Sequence, residues 1–118
     1  YIYWVTQDLP DGTMRIGPVA CKLRDPEIWW SYERGTAEMQ KLCNDYPELV
    51  KMETFGESTE HRKMNALQIG NPDKKLMIFG AVHASEPGFE LILKALRNIL
   101  ELHPDLLTKI GIGAILSS

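Results

Sequence analysis

Two side chains, His83 and Glu86, have the types and the spacing of a metal-binding pair, within the segment GAVHASEP at 80–87. An imidazole nitrogen and a carboxylate oxygen placed this way can converge on one cation at about 2 Å from each. Both are ordinary zinc ligands, and a catalytic zinc site usually takes three protein ligands and leaves one position for water. The spacing alone is weak evidence, because Glu86 could simply stabilise a helix N-terminus and His83 could be a partly buried loop residue.

The residues around this pair predict a strand–helix–strand unit. Residues 76–82 are continuously apolar, as in a central strand that is covered on both faces. A helix is expected from about residue 85 or 86 to residue 102, because its apolar residues recur with the helical period. Residues 110–116 predict a second buried strand. Such a unit implies a parallel crossover, and ligands of α/β sheets bind beyond the carboxyl ends of strands, where His83 falls.

The earlier part of the chain predicts a hairpin, a helix and a strand pair. Residues 1–26 are predicted to form a hairpin or extension that carries no part of the functional site. Residues 27–118 are predicted to form the main domain. A helix is predicted over 27–45, with Pro26 in its first turn. Gly35 weakens this helix by about 1 kcal/mol relative to alanine, so two shorter helices are an alternative.

Two alternating stretches, 49–55 and 65–69, predict an antiparallel pair at a sheet edge. Together with the parallel crossover, this pair indicates an α/β fold: a mixed sheet with helices on both faces.

Composition narrows the classes of function. The chain has 118 residues, of which 44% are hydrophobic and 25% charged, as in one globular domain. A net charge of −3 argues against a nucleic-acid partner. No apolar run approaches the roughly 20 residues that a membrane span needs, and the first twenty residues lack a signal-peptide pattern. A start at Tyr1 is expected of a processed product or a fragment, and both a cytoplasmic and a secreted location remain open.

Other reactive or bulky side chains have structural interpretations. Cys43 lies on the apolar side of the predicted helix and is expected to be free and buried rather than bonded to Cys21. The aromatic residues Trp29, Trp30 and Tyr32 are expected to pack in the core, with a partner-binding patch as the alternative.

Four phrases follow one another in a specific order: DYPELV at 45–50, FGES at 55–58, ALQIG at 66–70 and IFGAVHASE at 78–86. In this order and spacing they resemble the opening of the zinc carboxypeptidase family, the carboxypeptidase A-like peptidases. Members of that family have a YPDLV-type phrase, an IGKSxEGR segment, ALKIG, and an HxxE zinc motif after an apolar strand. The resemblance runs from about Trp29 to the end of the chain.

This resemblance implies a hydrolase that removes C-terminal residues from peptides, with His83 and Glu86 as two of three zinc ligands. The sequence departs from the family at two positions. His61 stands where the family has a glycine before the arginine that is Arg62 here, and Ser85 stands where many members have an arginine. Relatives with the same motif include deacylases that act on small N-acyl amino acids, so the substrate is expected to be a peptide or such a compound.

The resemblance also implies that the site is incomplete. The family's third ligand, a histidine, comes later than this strand–helix–strand unit, as do its substrate-binding arginine, its tyrosine and its general-base glutamate. His103 is about 25 Å along the helix from Glu86, and His61 lies in a polar loop. We therefore expect an incomplete catalytic domain, inactive alone, with no catalytic residue of its own and with strand edges open to self-association. The alternative is a non-catalytic α/β interaction module.

Overall fold

A computed structural model describes residues 2–20, 27–83 and 86–116. The elements are, in chain order, β1 Ile2–Asp8, β2 Met14–Ala20, α1 Tyr32–Asp45, β3 Val50–Glu57, β4 Lys63–Gly70, β5 Lys75–Gly80, α2 Phe89–Leu102, α3 Leu106–Lys109 and β6 Gly111–Leu116. Strands β1 and β2 pair with each other, and the other four form one sheet in the order β3-β4-β6-β5. In that sheet β5 and β6 are parallel and the remaining neighbours antiparallel, which confirms the mixed α/β class.

The predicted hairpin forms from β1 and β2. In its turn, Gly12 adopts a φ of 82° and the Thr13 N–H donates to Asp11 Oδ1 at 2.9 Å. Neither strand has a substantial contact with an element of residues 27–116, and the chain extends over 67 × 30 × 23 Å. A two-stranded hairpin by itself is only marginally stable. The boundary at residue 26 stays a prediction, because residues 21–26, including the expected helix start at Asp25-Pro26, lie outside the described residues.

Helix α1 begins at Tyr32, five residues later than predicted. Ser31 caps it, since the Ser31 hydroxyl accepts a hydrogen bond from the Arg34 N–H at 3.2 Å. The helix continues through Gly35, so the alternative of two shorter helices is wrong. The missing side chain at Gly35 admits the ring of Phe89, and a Cβ there would lie 2.6 Å from ring atoms. Packing of α2 on this position outweighs the low helix propensity of glycine.

The core lies between the two long helices and one face of the sheet. In the register of β4 and β6, Leu67 pairs with Ala114 and Ile69 with Ile112, so all four project to the same face. Buried leucines and methionine from α1 and α2 cover them: Met39, Leu42, Leu93, Leu96 and Leu100. Each fully buried leucine stabilises the fold by about 1.5–3 kcal/mol, and this layer joins β4 and β6 to the two helices.

Strand β5 is an edge strand, so the prediction of a central strand buried on both faces is wrong. The strand is shorter than predicted, and Leu76 and Phe79 are 57% and 61% exposed. After α2 the chain inserts β6 between β4 and β5, which leaves the outer edge of β5 without a neighbour among the described residues. A continuously apolar run does not distinguish these two positions, because strand order depends on contacts distant in sequence.

Helix α2 begins at Phe89, with Gly88 as its N-cap, and not at residue 85 or 86. Glu86 therefore lies in the preceding loop and not in the first helical turn. The cause is Pro87, because a residue before proline disfavours the helical conformation. The expected link before β6 contains the short helix α3, which buries Leu107 in the core. Within residues 2–20, 27–83 and 86–116, no helix combines the length and apolarity that crossing a bilayer requires.

Candidate metal-binding site

The loop between β5 and α2 is closed at its base by two small residues. Ala81 follows β5 with a φ of 46°, in the left-handed region, and turns the chain away from the strand direction. Gly88 packs directly against it: a Cβ on Gly88 would lie 2.6 Å from Ala81 Cβ and 2.8 Å from Ala81 N. The two ends of the loop are thus in contact, and the loop carries His83 and Glu86 at the carboxyl end of β5.

The predicted pair is brought together. Nδ1 of His83 lies 2.9 Å from Oε1 of Glu86. The His83 N–H donates to Oε2 of Glu86 at 3.3 Å, and the Glu86 N–H donates to the His83 carbonyl at 3.0 Å. The side chains are 76% and 50% exposed, so a cation can reach them from solvent. One carboxylate oxygen is held by the backbone while the other faces the imidazole ring.

Hydrogen bonds set the charge of this carboxyl group. The side chain of His83, and then its backbone N–H, hold the pKa of Glu86 below its ordinary value. The group is therefore ionised at neutral pH, which is the form that a metal ligand requires.

The geometry fits two ligands of a zinc ion. Bonds of about 2.1 Å at a tetrahedral angle place two ligand atoms about 3.4 Å apart. The observed separation of 2.9 Å between Nδ1 and Oε1 would need to widen by only about half an ångström, a small side-chain rotation. The donor types, a neutral imidazole and a carboxylate, suit zinc. His83 and Glu86 are thus well placed to hold a zinc ion through Nδ1 and Oε1.

A third ligand is not found in the described part of the chain. No group of three histidine, cysteine, aspartate or glutamate side chains in residues 2–20, 27–83 and 86–116 is placed to hold a metal ion. His61 lies in the β3–β4 turn, 3.7 Å from a carboxylate oxygen of Glu57. His103 ends α2, about 20 Å along the helix from its start. The two other histidines therefore do not complete the site.

The remaining side chains singled out in the sequence have structural contacts. Trp30 packs against the core, and the hydroxyl of Tyr32 donates to the Lys63 carbonyl at 2.9 Å. Cys43 is free, as expected, but half-buried and not fully buried, and this partial burial raises the pKa of its thiol. Sequence reasoning missed the contact between Gly88 and Ala81. The Pro87-Gly88 dipeptide was the available signal, since such pairs interrupt helices.

Comparison with known proteins gives one family. The family model described as zinc carboxypeptidase matches residues 36–107, which is more than half of the chain and includes His83 and Glu86. No curated protein is a significant match in sequence.

Solved structures share the fold at low sequence identity. Bovine thrombin-activatable fibrinolysis inhibitor, in complex with tick carboxypeptidase inhibitor, matches 75% of this chain and 30% of its own, with a TM-score of 0.67 and 18% identity. Carboxypeptidase A from Helicoverpa armigera matches 77% of this chain and 24% of its own, with a TM-score of 0.66 and 23% identity. A putative carboxypeptidase A from Shewanella denitrificans matches 97% of this chain and 32% of its own, with a TM-score of 0.56 and 21% identity. The chain thus spans about a third or less of the length of these structures.

Proposed function

Because the chain belongs to the zinc carboxypeptidase family, we propose that it forms the front part of a zinc-dependent carboxypeptidase site, with His83 and Glu86 as two of three ligands. The observation that carries the proposal is the convergence of His83 Nδ1 and Glu86 Oε1, 2.9 Å apart. The pair lies in the loop after β5, beyond the carboxyl end of a strand, where open α/β sheets bind ligands. The proposed reaction is hydrolysis of the C-terminal peptide bond of a peptide.

The two residues have distinct parts in this proposal. The hydrogen bond from the His83 N–H to Oε2 orients the Glu86 carboxylate, which leaves Oε1 directed at the metal position. His83 would supply Nδ1 as the second donor atom. A bound zinc ion lowers the pKa of a coordinated water to about 7 and polarises a carbonyl. We assign the third ligand and the base that accepts the proton to residues beyond these 118, so that the chain alone is an incomplete and inactive domain.

Membership of the family suggests two classes of substrate for the complete site. Peptides are the proposed substrate of the complete site. Ser85, where many family members have an arginine, removes one cationic side chain that could polarise a substrate carbonyl. A deacylase that acts on N-acyl amino acids is therefore the second candidate, and an assay with both kinds of compound distinguishes them.

Zinc competition titration against a chromophoric chelator tests the metal pair. The unsubstituted chain should bind one zinc ion, and His83→Ala and Glu86→Gln should each weaken binding by about tenfold or more. His103→Ala is the matched control and should bind as the unsubstituted chain does. Zinc affinity that is unchanged in His83→Ala would contradict the assignment and favour a non-catalytic module.

Hydrolysis assays test the incomplete site. The zinc-loaded chain should not turn over an N-blocked dipeptide or an N-acyl amino acid. Turnover by a strictly monomeric chain would contradict the proposal that the domain is incomplete, and the compound that is hydrolysed would identify the substrate class.

A further inference from the structure

We infer that two copies of this chain share one zinc ion, with each copy supplying His83 and Glu86. The inference rests on the proposed zinc ligands and adds a partner to them. Zinc usually takes four ligands, and no third histidine, cysteine, aspartate or glutamate within residues 2–20, 27–83 and 86–116 joins the pair. The described residues thus leave two positions of the ion to water or to donors from another chain.

The pair is accessible to a second chain. The side chains of His83 and Glu86 are 76% and 50% exposed, and the preceding residue, Val82, is 73% exposed. Their loop follows β5, whose outer edge has no neighbouring strand in the described part of the chain. The loop therefore leaves the sheet at its open edge, where a second copy can approach and Val82 offers an apolar contact beside the ion.

The two donor atoms form one preassembled unit. Nδ1 of His83 lies 2.9 Å from Oε1 of Glu86, and the His83 N–H holds Oε2 at 3.3 Å. Each copy contributes its two donors together, which lowers the entropy cost of gathering four around one ion. In a pair with two-fold symmetry the same surface patch faces itself, so one kind of unit is enough to complete the site.

Charge balance also favours two pairs on one ion. An ionised Glu86 from each copy gives two negative charges, which offset the two positive charges of zinc, while both imidazoles are neutral as ligands. A neutral site can be enclosed between two protein surfaces without an uncompensated charge. A third ligand beyond residue 118, as we propose for the complete site, would compete with the second copy for the same position.

Another exposed histidine–glutamate pair offers an asymmetric alternative. Nδ1 of His61 lies 3.7 Å from Oε2 of Glu57, and the two side chains are 89% and 60% exposed. An ion held by His83 of one copy and His61 of the next would join unlike surfaces, which produces open chains of copies and not a closed pair. The longer separation makes the His61 pair the less well assembled unit, and His61→Ala tests its part directly.

Sedimentation velocity during a zinc titration tests the sharing on the 118-residue chain with Phe79→Lys, which discourages association through the β5 edge. The mass should double when zinc is raised from none, in a chelator, to half an equivalent. It should fall again in a large excess of zinc, when each chain takes its own ion. His83→Ala should raise the chain concentration needed for the dimer about a hundredfold, because a loss of about tenfold for one ligand applies to both copies. His61→Ala is the matched control and should dimerise unchanged.

Failure of the sharing is distinct from failure of the proposed ligands. An unchanged mass at half an equivalent of zinc, while the ¹⁵N signals of the His83 ring shift, would overturn the sharing and leave the ligands in place. A His83 ring that does not respond to zinc would overturn both. Loss of the dimer in His61→Ala, or species larger than a dimer at half an equivalent, would overturn the symmetric pair in favour of open chains.

Discussion

Single residues at the base of the β5–α2 loop determine where His83 and Glu86 are held. Neither of these proposed ligands is on a regular element, and their loop is closed by the contact of Gly88 with Ala81. Metal-binding pairs on loops lose affinity when their supporting residues move, because the ligand atoms must stay within a few tenths of an ångström of their positions. The packing of Gly88 is therefore as relevant to the site as the donors themselves.

Gly88→Ala should weaken zinc binding about tenfold and lower the free energy of unfolding by about 1–3 kcal/mol. The reason is steric, since the new Cβ would lie 2.8 Å from the backbone nitrogen of Ala81. Urea denaturation and zinc competition titration measure the two effects. Gly56→Ala is the matched control, because no atom lies within 4 Å of a Cβ there. Equal stability and zinc affinity in both variants would show that the loop does not depend on this contact.

Cys43 should react slowly with iodoacetamide at pH 8, and its rate should rise with pH to a midpoint above that of an unfolded cysteine peptide. The thiolate is the reactive form, and burial raises the pKa of this thiol. Because the folded state disfavours the thiolate, stability should fall as pH rises above the unfolded pKa. Alkylation in a Cys21→Ser background, followed by mass spectrometry, gives the rate. A midpoint at or below that of the peptide would contradict the expected burial.

At the level of elements, local patterns predicted the pairing of β3 with β4, the strand β6 and the parallel crossover through α2. The position of β5 at the edge could not be predicted from its sequence, since an apolar strand looks the same at either position. Pro87 in the sequence is a signal that α2 starts after it, because the residue before a proline disfavours the helical conformation. The apolar periodicity that follows Pro87 favours an earlier start, at residue 85 or 86. The convergence of His83 and Glu86 was predictable from their spacing, but the loop geometry that produces it was not.

Gly35→Ala tests the contact between α1 and α2. Alanine is the better helix former by about 1 kcal/mol, yet the variant should be less stable by about 1–3 kcal/mol because its Cβ would lie 2.6 Å from the Phe89 ring. Urea denaturation measures the change. In a Phe89→Leu background the same substitution should lower the free energy of unfolding much less, since the smaller leucine side chain leaves room for the new Cβ. A stabilised Gly35→Ala protein would show that Phe89 does not rest on this position.

For the whole molecule, the two edges of the main sheet differ. The β3 edge carries charges at Lys51 and Glu53 and an irregular register between Thr54 and Gly56, features that discourage pairing with another strand. The β5 edge has no charged residue from Leu76 to Gly80, and its apolar side chains are exposed. The open β5 edge is consistent with the proposal that the chain is part of a larger carboxypeptidase domain.

Because the outer edge of β5 has no neighbouring strand among the described residues and its side chains are apolar, we expect the chain to associate with itself through this edge. Sedimentation velocity should show a larger species as concentration rises, and Phe79→Lys should shift the chain towards monomer by placing a charge on the exposed edge strand. Thr54→Lys on β3 should leave the association unchanged. A monomer at all concentrations, or equal effects of the two substitutions, would contradict the assignment of β5 as the open edge.

The central claim is that His83 and Glu86 bind zinc, and ¹⁵N NMR of the histidine rings during a zinc titration tests it most directly. The three histidines, His61, His83 and His103, report separately in one experiment. We predict that the Nδ1 signal of His83 shifts in proportion to added zinc, that His61 and His103 stay in place, and that Glu86→Gln weakens the shift. A His83 ring that does not respond to zinc, or responds no more than the other two, would contradict the claim.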